Sequence, residues 1–141
     1  MRSSIQILPG VKAISWVNCR KLPPHVDLHG ITQNCVAILT DIHSIEFFGE
    51  PDCRCATEKE CGNYKDTATL KFVCAIELPR TIPVGFVVTD IAGDSYLIGA
   101  KEKPYPQIKF NRVFGLADGV AAGYEYEITH IAIKSLVTCR I

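Results

Sequence analysis

An alternation of apolar and polar side chains over residues 69–78 constrains the fold more than any other feature of the sequence. In this segment, TLKFVCAIEL, the even-numbered positions hold Leu, Phe, Cys, Ile and Leu, and the odd-numbered positions hold mainly smaller or polar residues. A period of two residues is that of a β-strand with one buried face. Leu-Pro and Ile-Pro steps then break the chain, an apolar run covers residues 84–91, and the turn AGDS leads into residues 96–98. The segment 69–106 therefore predicts three consecutive strands with their turns.

Further strands are predicted on either side of this segment. The first covers residues 11–17, and a short strand covers residues 108–113. Residues 35–48 form a long apolar run in which β-branched residues recur and which Gly-Glu-Pro closes, so we predict one bent strand there. Residues 50–65 are predicted to be irregular, with a single helical turn at 56–61.

The last segment of the chain, residues 124–141, changes the parity of its apolar positions midway. Apolar residues fall on even positions up to Ile128 and on odd positions from Ile131. Such a change predicts either a β-bulge near Thr129 or His130 or a strand that passes from one sheet to another.

These strands, spaced by turn signals and without alternating helices, predict an all-β protein. Its architecture is expected to be mainly an antiparallel β-sandwich or small barrel, with at most short helical turns. The 141 residues, of which 48% are hydrophobic and 21% charged, have the composition of an ordinary globular chain. We therefore expect residues 1–141 to form a single β-rich domain.

The charge balance limits the kind of partner. Fifteen Lys and Arg residues balance fifteen Asp and Glu residues, so the formal net charge is zero. A neutral chain has no general attraction to nucleic acid or to an anionic membrane, and a low net charge favours self-association. Because the sequence has no signal-type apolar segment and no run of about 18 apolar residues, we expect a cytoplasmic protein that binds neither nucleic acid nor membranes. Its seven cysteines are then expected to be reduced.

Four cysteines raise the question of a metal site. Cys53, Cys55 and Cys61 lie close together in the segment predicted to be irregular, and Cys74 follows in a predicted strand. Thiolates spaced this closely can bind one soft cation, and four sulfur atoms around zinc form a closed tetrahedral site. Against this, the chain lacks paired Cys-x-x-Cys motifs, and Cys74 is in phase with Leu70 and other apolar residues, as expected of a buried thiol. The sequence leaves two interpretations open, a zinc site or ordinary reduced thiols with no cofactor.

The histidines do not form a recognisable catalytic or metal-binding set. His25 and His29 flank Asp27 in the loop PPHVDLHG, where a spacing of four residues lacks the helix that would bring both side chains to one face. A base at His130 would need an acidic neighbour, but Glu125 and Glu127 lie on the opposite face of a regular strand. No known catalytic motif occurs in the chain, so we expect a protein that is not an enzyme.

A glycine-rich segment and several aromatic residues are the candidates for contacts with other chains. The segment GLADGVAAG, residues 115–123, is apolar without being bulky, and we predict either a mobile hairpin tip or an arm that packs onto a neighbouring subunit. Exposed aromatic residues would add contact area, because aromatic anchors dominate the energetics of most interfaces. The residues predicted to take part are Trp16, Tyr105, Phe110, Phe114, Gly115, Gly119 and Gly123.

Two segments, FVVTDIAGDSYLIGAKEKPYPQIKF at 86–110 and YEITHIAI at 126–133, resemble sequences of small all-β proteins from prophage-type gene clusters. In those sequences a strand leads through a Gly-Asp turn to a Tyr-Leu-Ile-Gly strand and a proline-containing step, and an Ile-Thr-containing strand follows. The resemblance covers roughly the C-terminal half of the chain. It implies a virion- or tail-associated structural subunit without an active site.

The leading hypothesis is a non-enzymatic structural or assembly protein that self-associates, or joins other structural proteins, through sheet edges and loops. Its location is then the cytoplasm, or the virion if the chain derives from a phage. The alternative is a small β-barrel module that binds a metal or a small ligand through the loop with Cys53, Cys55 and Cys61.

Overall fold

The computed structural model confirms the predicted all-β class, with strands in two β-sheets and a short 3-10 turn at Cys19–Lys21. It describes residues 3–7, 10–24, 26, 35–38, 41–101, 105–113, 123–132 and 135–140. The strands in chain order are β1 (Ser3–Ile7), β2 (Val11–Asn18), β3 (Val36–Ala37), β4 (His43–Ile45), β5 (Phe47–Glu60), β6 (Asn63–Cys74), β7 (Val84–Asp90), β8 (Ser95–Ile98), β9 (Gln107–Val113), β10 (Gly123–Ala132) and β11 (Val137–Arg140). No helix within the described ranges is long and apolar enough to cross a lipid bilayer.

Sheet A contains five strands in the order β1-β5-β6-β10-β9, each antiparallel to its neighbours. Its centre is the long hairpin of β5 and β6, whose turn residues Cys61 and Gly62 have positive φ angles of 49° and 83°. Two successive positive φ angles are typical of a type I′ turn, which matches the right-handed twist of the flanking strands. The outermost strands of this sheet are β1 and β9.

Sheet B contains six strands in the order β3-β11-β8-β7-β2-β4. All neighbours are antiparallel except β11 and β3, which are parallel. Its outermost strands, β3 and β4, have only two and three residues. Edge strands this short present few unpaired backbone groups to other chains.

The main hydrophobic core lies between the two sheets. β6 contributes Leu70, Phe72 and Cys74, which the sequence predicted to share one face, and β7 contributes Phe86 and Val88. Each of these five side chains is buried, with at most 4% of its surface exposed. The even-numbered face of β6 is therefore the inner face of sheet A, and its odd-numbered face is the outer face.

A second hydrophobic cluster covers the outer face of sheet B. Val87, Leu97 and Val137 lie side by side on that face in a row across β7, β8 and β11. Cys19, Leu22, Val26 and Ile38 from the connection between β2 and β4 pack in this cluster, which Val36 of the edge strand β3 joins. Because both faces of sheet B are buried, β7 has a continuous apolar sequence rather than an alternating one.

Two predictions made for the region after residue 50 are wrong. Residues 50–65 are not irregular and residues 56–61 do not form a helical turn, because both belong to the β5–β6 hairpin. Cys53 and Cys55 are buried and Arg54 between them is exposed, so the strand alternation continues through this segment. Pairing with β1 on one side and β6 on the other overrides the helical composition of its charged residues.

The apolar run at 35–48 is not a single bent strand. It is divided among β3 and β4, which lie at opposite edges of sheet B, and the first residues of β5 in sheet A. The reason is that its apolar residues belong to different hydrophobic clusters. Val36 and Ile38 belong to the second hydrophobic cluster, whereas Ile45 lies in the core between the sheets.

The change of parity in residues 124–141 begins at Ile131, which still pairs with Thr67 in sheet A and is 42% exposed. The chain then passes to sheet B, but it does so in two separate strands, β10 and β11, and not in one continuous strand. β10 keeps a continuous register with β6 through Thr129 and His130, so the other alternative, a bulge at these two residues, is not found.

Candidate functional site

The outer face of sheet A carries a row of charged side chains of alternating sign. Asp52 on β5 lies opposite Lys71 on β6. Lys71 lies in turn opposite Glu127 on β10, and Glu127 lies opposite Lys109 on β9. Neighbouring strands are about 4.8 Å apart, so these four residues, called here the charge row, extend over about 15 Å. Opposite charges directly across a strand pair each contribute about 0.2–1 kcal/mol to a sheet.

A concavity of about 420 Å³ lies over the charge row. Its rim includes Phe48, whose surface is 46% exposed, and it is bounded as well by Val73 and Glu125. The register of β5 with β6 shifts between Phe48 and Asp52, which places a bulge at Gly49-Glu50-Pro51. A bulge bends its strand, and this bend explains a concavity on an otherwise regular sheet.

The order of signs in the charge row is antisymmetric about the middle of the row, which lies between β6 and β10. From β5 to β9 it is minus, plus, minus, plus, and in the reverse direction every sign is inverted. When two copies of this face meet about a two-fold axis parallel to the strands, between β6 and β10, Asp52 meets Lys109 of the second copy. Lys71 then meets Glu127 of the second copy. Self-complementarity of this kind is what an isologous contact between identical subunits requires.

β9 forms one edge of sheet A, and a smaller apolar cavity lies beside it on the inner side. β9 pairs with β10, and no strand in the described part of the chain pairs with its other side. Ile108 and Phe110 line a cavity of about 210 Å³ together with Leu78, Pro79, Arg80, Ile82 and Tyr126. Arg80 lies over the ring of Phe110, with 4.9 Å between its guanidinium carbon and the ring centroid, and forms an ion pair with Glu77.

Tyr126 connects this smaller cavity to the core. Its ring stacks on those of Phe72 and Phe110, with centroid distances of 5.4 Å and 5.2 Å. Its hydroxyl accepts a hydrogen bond of 2.8 Å from the backbone N–H of Leu78. Burial raises the pKa of this hydroxyl above its ordinary value, and the hydrogen bond from Leu78 acts in the opposite direction. Tyr126 thus holds the connection between β6 and β7 against sheet A.

The structure does not bring the four predicted zinc ligands together. Cys53 and Cys55 are buried on the inner face of β5, Cys61 is exposed in the hairpin turn, and Cys74 is buried at the last position of β6. Cys53 and Cys74 lie on neighbouring strands at positions offset by four residues, about 13 Å, and six residues of extended chain, about 20 Å, separate Cys55 from Cys61. Zn–S bonds of about 2.3 Å cannot span such distances. Among the described residues, no three of the types His, Cys, Asp and Glu form a group that could hold a metal ion.

The protonation of the buried thiols favours the interpretation as ordinary cysteines. Burial raises the pKa of Cys53 to about 12, and the nearby Cys55 and Asp52 add to the shift. Burial also raises the pKa of Cys74. Nucleophilic cysteines act as thiolates, and a raised pKa disfavours that form in these two side chains. None of the seven cysteines forms a disulfide bond.

His130 lies on the opposite face of β10 from the two glutamates considered as its neighbours. His130 is 2% exposed on the inner side, whereas Glu125 and Glu127 are exposed on the outer face. The regular register of β10 with β6 keeps them apart. His25, Asp27 and His29 lie outside the described residues.

Three of the four aromatic residues predicted to make contacts are half-buried within the subunit. Trp16 stacks on the ring of His43 with a centroid distance of 4.2 Å, Tyr105 packs against the second hydrophobic cluster, and Phe110 lines the smaller cavity. Gly123 is buried, and a Cβ there would lie 2.9 Å from a backbone carbonyl oxygen of β6, so this glycine is needed for close approach of strands. Phe114, Gly115 and Gly119 lie outside the described residues.

A buried polar group that the sequence analysis missed lies where the chain leaves β10 for β11. Asp66 accepts a hydrogen bond of 3.4 Å from the backbone N–H of Ser135, and the Cys55 sulfur lies 3.6 Å from the Ser135 hydroxyl. All three residues are at most 4% exposed, so a solute has no access to them. Their contacts give the buried carboxylate of Asp66 a hydrogen-bond donor and fix the position of the chain where it crosses between the sheets. The sequence signal for this group was the even residue number of Asp66, because the even-numbered residues of β6 face inward.

The sequence matches no protein-family model, no curated protein and no solved structure. The assignment of a function therefore depends on the chemistry of the outer face and the free edge of sheet A.

Proposed function

We propose that this protein is a structural or assembly subunit that self-associates through the outer face of sheet A. The proposal is carried by the sign order of the charge row, which places every charge against an opposite one when two copies meet about a two-fold axis. Zero formal net charge removes long-range repulsion between copies. The resemblance of the C-terminal half to prophage-type proteins supports a virion- or tail-associated complex as the assembly in question.

The same face also supplies an apolar anchor and a fixed register. Phe48 exposes 46% of its surface at the rim of the concavity, and covering an aromatic ring is among the largest favourable terms at an interface. A shift of the two faces by one strand would place like charges against each other. The charge row therefore selects one arrangement, since like charges brought together oppose a wrong contact.

The test is a pair of charge reversals, Lys71→Glu and Glu127→Lys. Each variant alone places like charges opposite each other twice in the two-fold contact, so each is expected to remain monomeric at concentrations at which the wild type associates. When the two variants are mixed, the row of one is complementary to the row of the other, so a heterodimer is expected. Native mass spectrometry resolves the two subunit masses and counts the subunits in each complex.

The control for these variants is Lys12→Glu, which reverses an exposed charge on β2 in the other sheet and should leave association unchanged. Thermal unfolding of each variant verifies that it is folded, because both reversed side chains are exposed. A wild-type protein that is monomeric at high concentration contradicts the proposal. So does a mixture of the two variants that contains only monomers.

A further inference from the structure

We infer that the free edge of β9 binds an extended, acidic segment of another protein as an additional strand of sheet A. This contact differs from the proposed face-to-face association, because it uses the backbone groups of the lateral edge and a different kind of partner, although Lys109 takes part in both. β9 has seven residues, whereas the other edge strands β1, β3 and β4 have five, two and three. An edge of this length offers backbone N–H and C=O groups to an incoming strand.

The charges of β9 select the partner. The strand contains Lys109 and Arg112 and no acidic residue. The charge row ends at Lys109, so a strand with a carboxylate beside Lys109 would continue the alternation of signs by one position. A second copy of β9 would bring cations together without any anion, and like charges across a strand pair are destabilising. Charge complementarity therefore favours an acidic segment over a second copy of this chain.

The smaller cavity sets a second requirement on the partner. Successive side chains of an added strand point alternately to the outer and the inner side of the sheet. On the inner side they would reach the cavity of about 210 Å³ that Ile108, Phe110, Leu78 and Ile82 line. Apart from Arg80, the walls of this cavity are mainly apolar, so the inward side chains of the partner are expected to be aliphatic. The preferred segment thus alternates acidic residues on the outer side with aliphatic residues on the inner side.

Two blocked octapeptides test this inference, one with four repeats of Glu-Val and the other with four repeats of Lys-Val. The wild-type protein is expected to bind the Glu-Val peptide about tenfold more tightly than the Lys-Val peptide, because a cross-strand attraction is replaced by a repulsion. Lys109→Glu is expected to reverse this preference. Lys109 is exposed, so the substitution leaves the fold intact, and fluorescence anisotropy gives both dissociation constants.

The matched control is Lys71→Glu, which makes the same charge change two strands away from the edge. It is expected to keep the wild-type peptide preference even though it disrupts the proposed face-to-face association. Failure of one proposal is thus distinguishable from failure of the other. Hydrogen exchange measured by mass spectrometry should show protection of residues 105–113 when the Glu-Val peptide is added.

Any of the following peptide-binding outcomes would overturn the inference. They are the absence of binding of the Glu-Val peptide, equal affinity of the wild type for both peptides, an unchanged preference in Lys109→Glu, and protection confined to segments other than β9. A dimer joined through β9 that excludes the peptide would assign the edge to a second copy instead and would equally overturn it.

Discussion

The outer faces of the two sheets carry rows of opposite character. On sheet B the row of Val87, Leu97 and Val137 is buried under the connection between β2 and β4. On sheet A the charge row occupies the corresponding face, and its three residues on β6, β10 and β9 are exposed. A sheet with two apolar faces needs two covering layers, whereas a sheet with one needs only its partner sheet. The subunit covers the outer face of sheet B internally and leaves the outer face of sheet A exposed at Lys71, Lys109 and Glu127.

The largest expected effect is on the free energy of unfolding, when a lysine is placed on the outer face of one sheet or of the other. Val87→Lys on sheet B would bury an unpaired ammonium under the second cluster, and we expect a loss of more than about 3 kcal/mol in the free energy of unfolding. Val73→Lys on sheet A places the ammonium at the surface opposite Glu125, so a change within about 1 kcal/mol is expected. Urea unfolding at neutral pH measures both values. Equal losses in the two variants would show that the two faces do not differ in burial.

The contrast between the sheets is partly visible in the sequence. The alternation of β6 and the continuous apolar run of β7 predict one buried face for the first strand and two for the second. Strands near 11–17, 84–91 and 108–113 were predicted within about two residues of their observed limits, because each is bounded by local turn signals.

The parts that the sequence did not predict depend on pairing between distant residues. β5 was missed because its charged stretch becomes a strand only between β1 and β6. The charge row was not predictable either, since it depends on the bulge between Phe48 and Asp52 and on the register of β6 with β10. The candidate site is therefore formed by the pairing register of the strands, whereas the zinc hypothesis was based on the proximity of cysteines along the chain.

A smaller effect is expected at the contact that ties the two sheets together. Tyr126→Phe removes the hydroxyl that accepts the N–H of Leu78, in the connection from sheet A to sheet B. Leu78 is 4% exposed, so its N–H would lose its partner in a buried environment, and we expect a loss of about 1–3 kcal/mol. Tyr64→Phe is the matched control, because Tyr64 is 54% exposed and its hydroxyl lies in solvent. Equal stability of the two variants would indicate that water replaces the hydroxyl as acceptor.

The smallest effect is a dependence of stability on pH that the buried thiols of both sheets impose. Burial raises the pKa of Cys53 in sheet A and of Cys139 in sheet B from 9.0 to about 12. The unfolded chain therefore releases these protons at a lower pH than the folded chain, so the stabilisation is complete below pH about 9 and is lost as the pH rises toward 12. Each thiol lowers the free energy of unfolding by at most about 1.4 kcal/mol between pH 8 and pH 10.

Urea unfolding measures this dependence. The free energy of unfolding should decline less steeply with pH in Cys53→Ala than in the wild type over this interval. Cys61→Ala, which removes an exposed thiol, should show the wild-type slope. An identical slope in all three proteins would mean that water reaches Cys53 in the folded state, and the inner face of β5 would then be less well covered than that of β6.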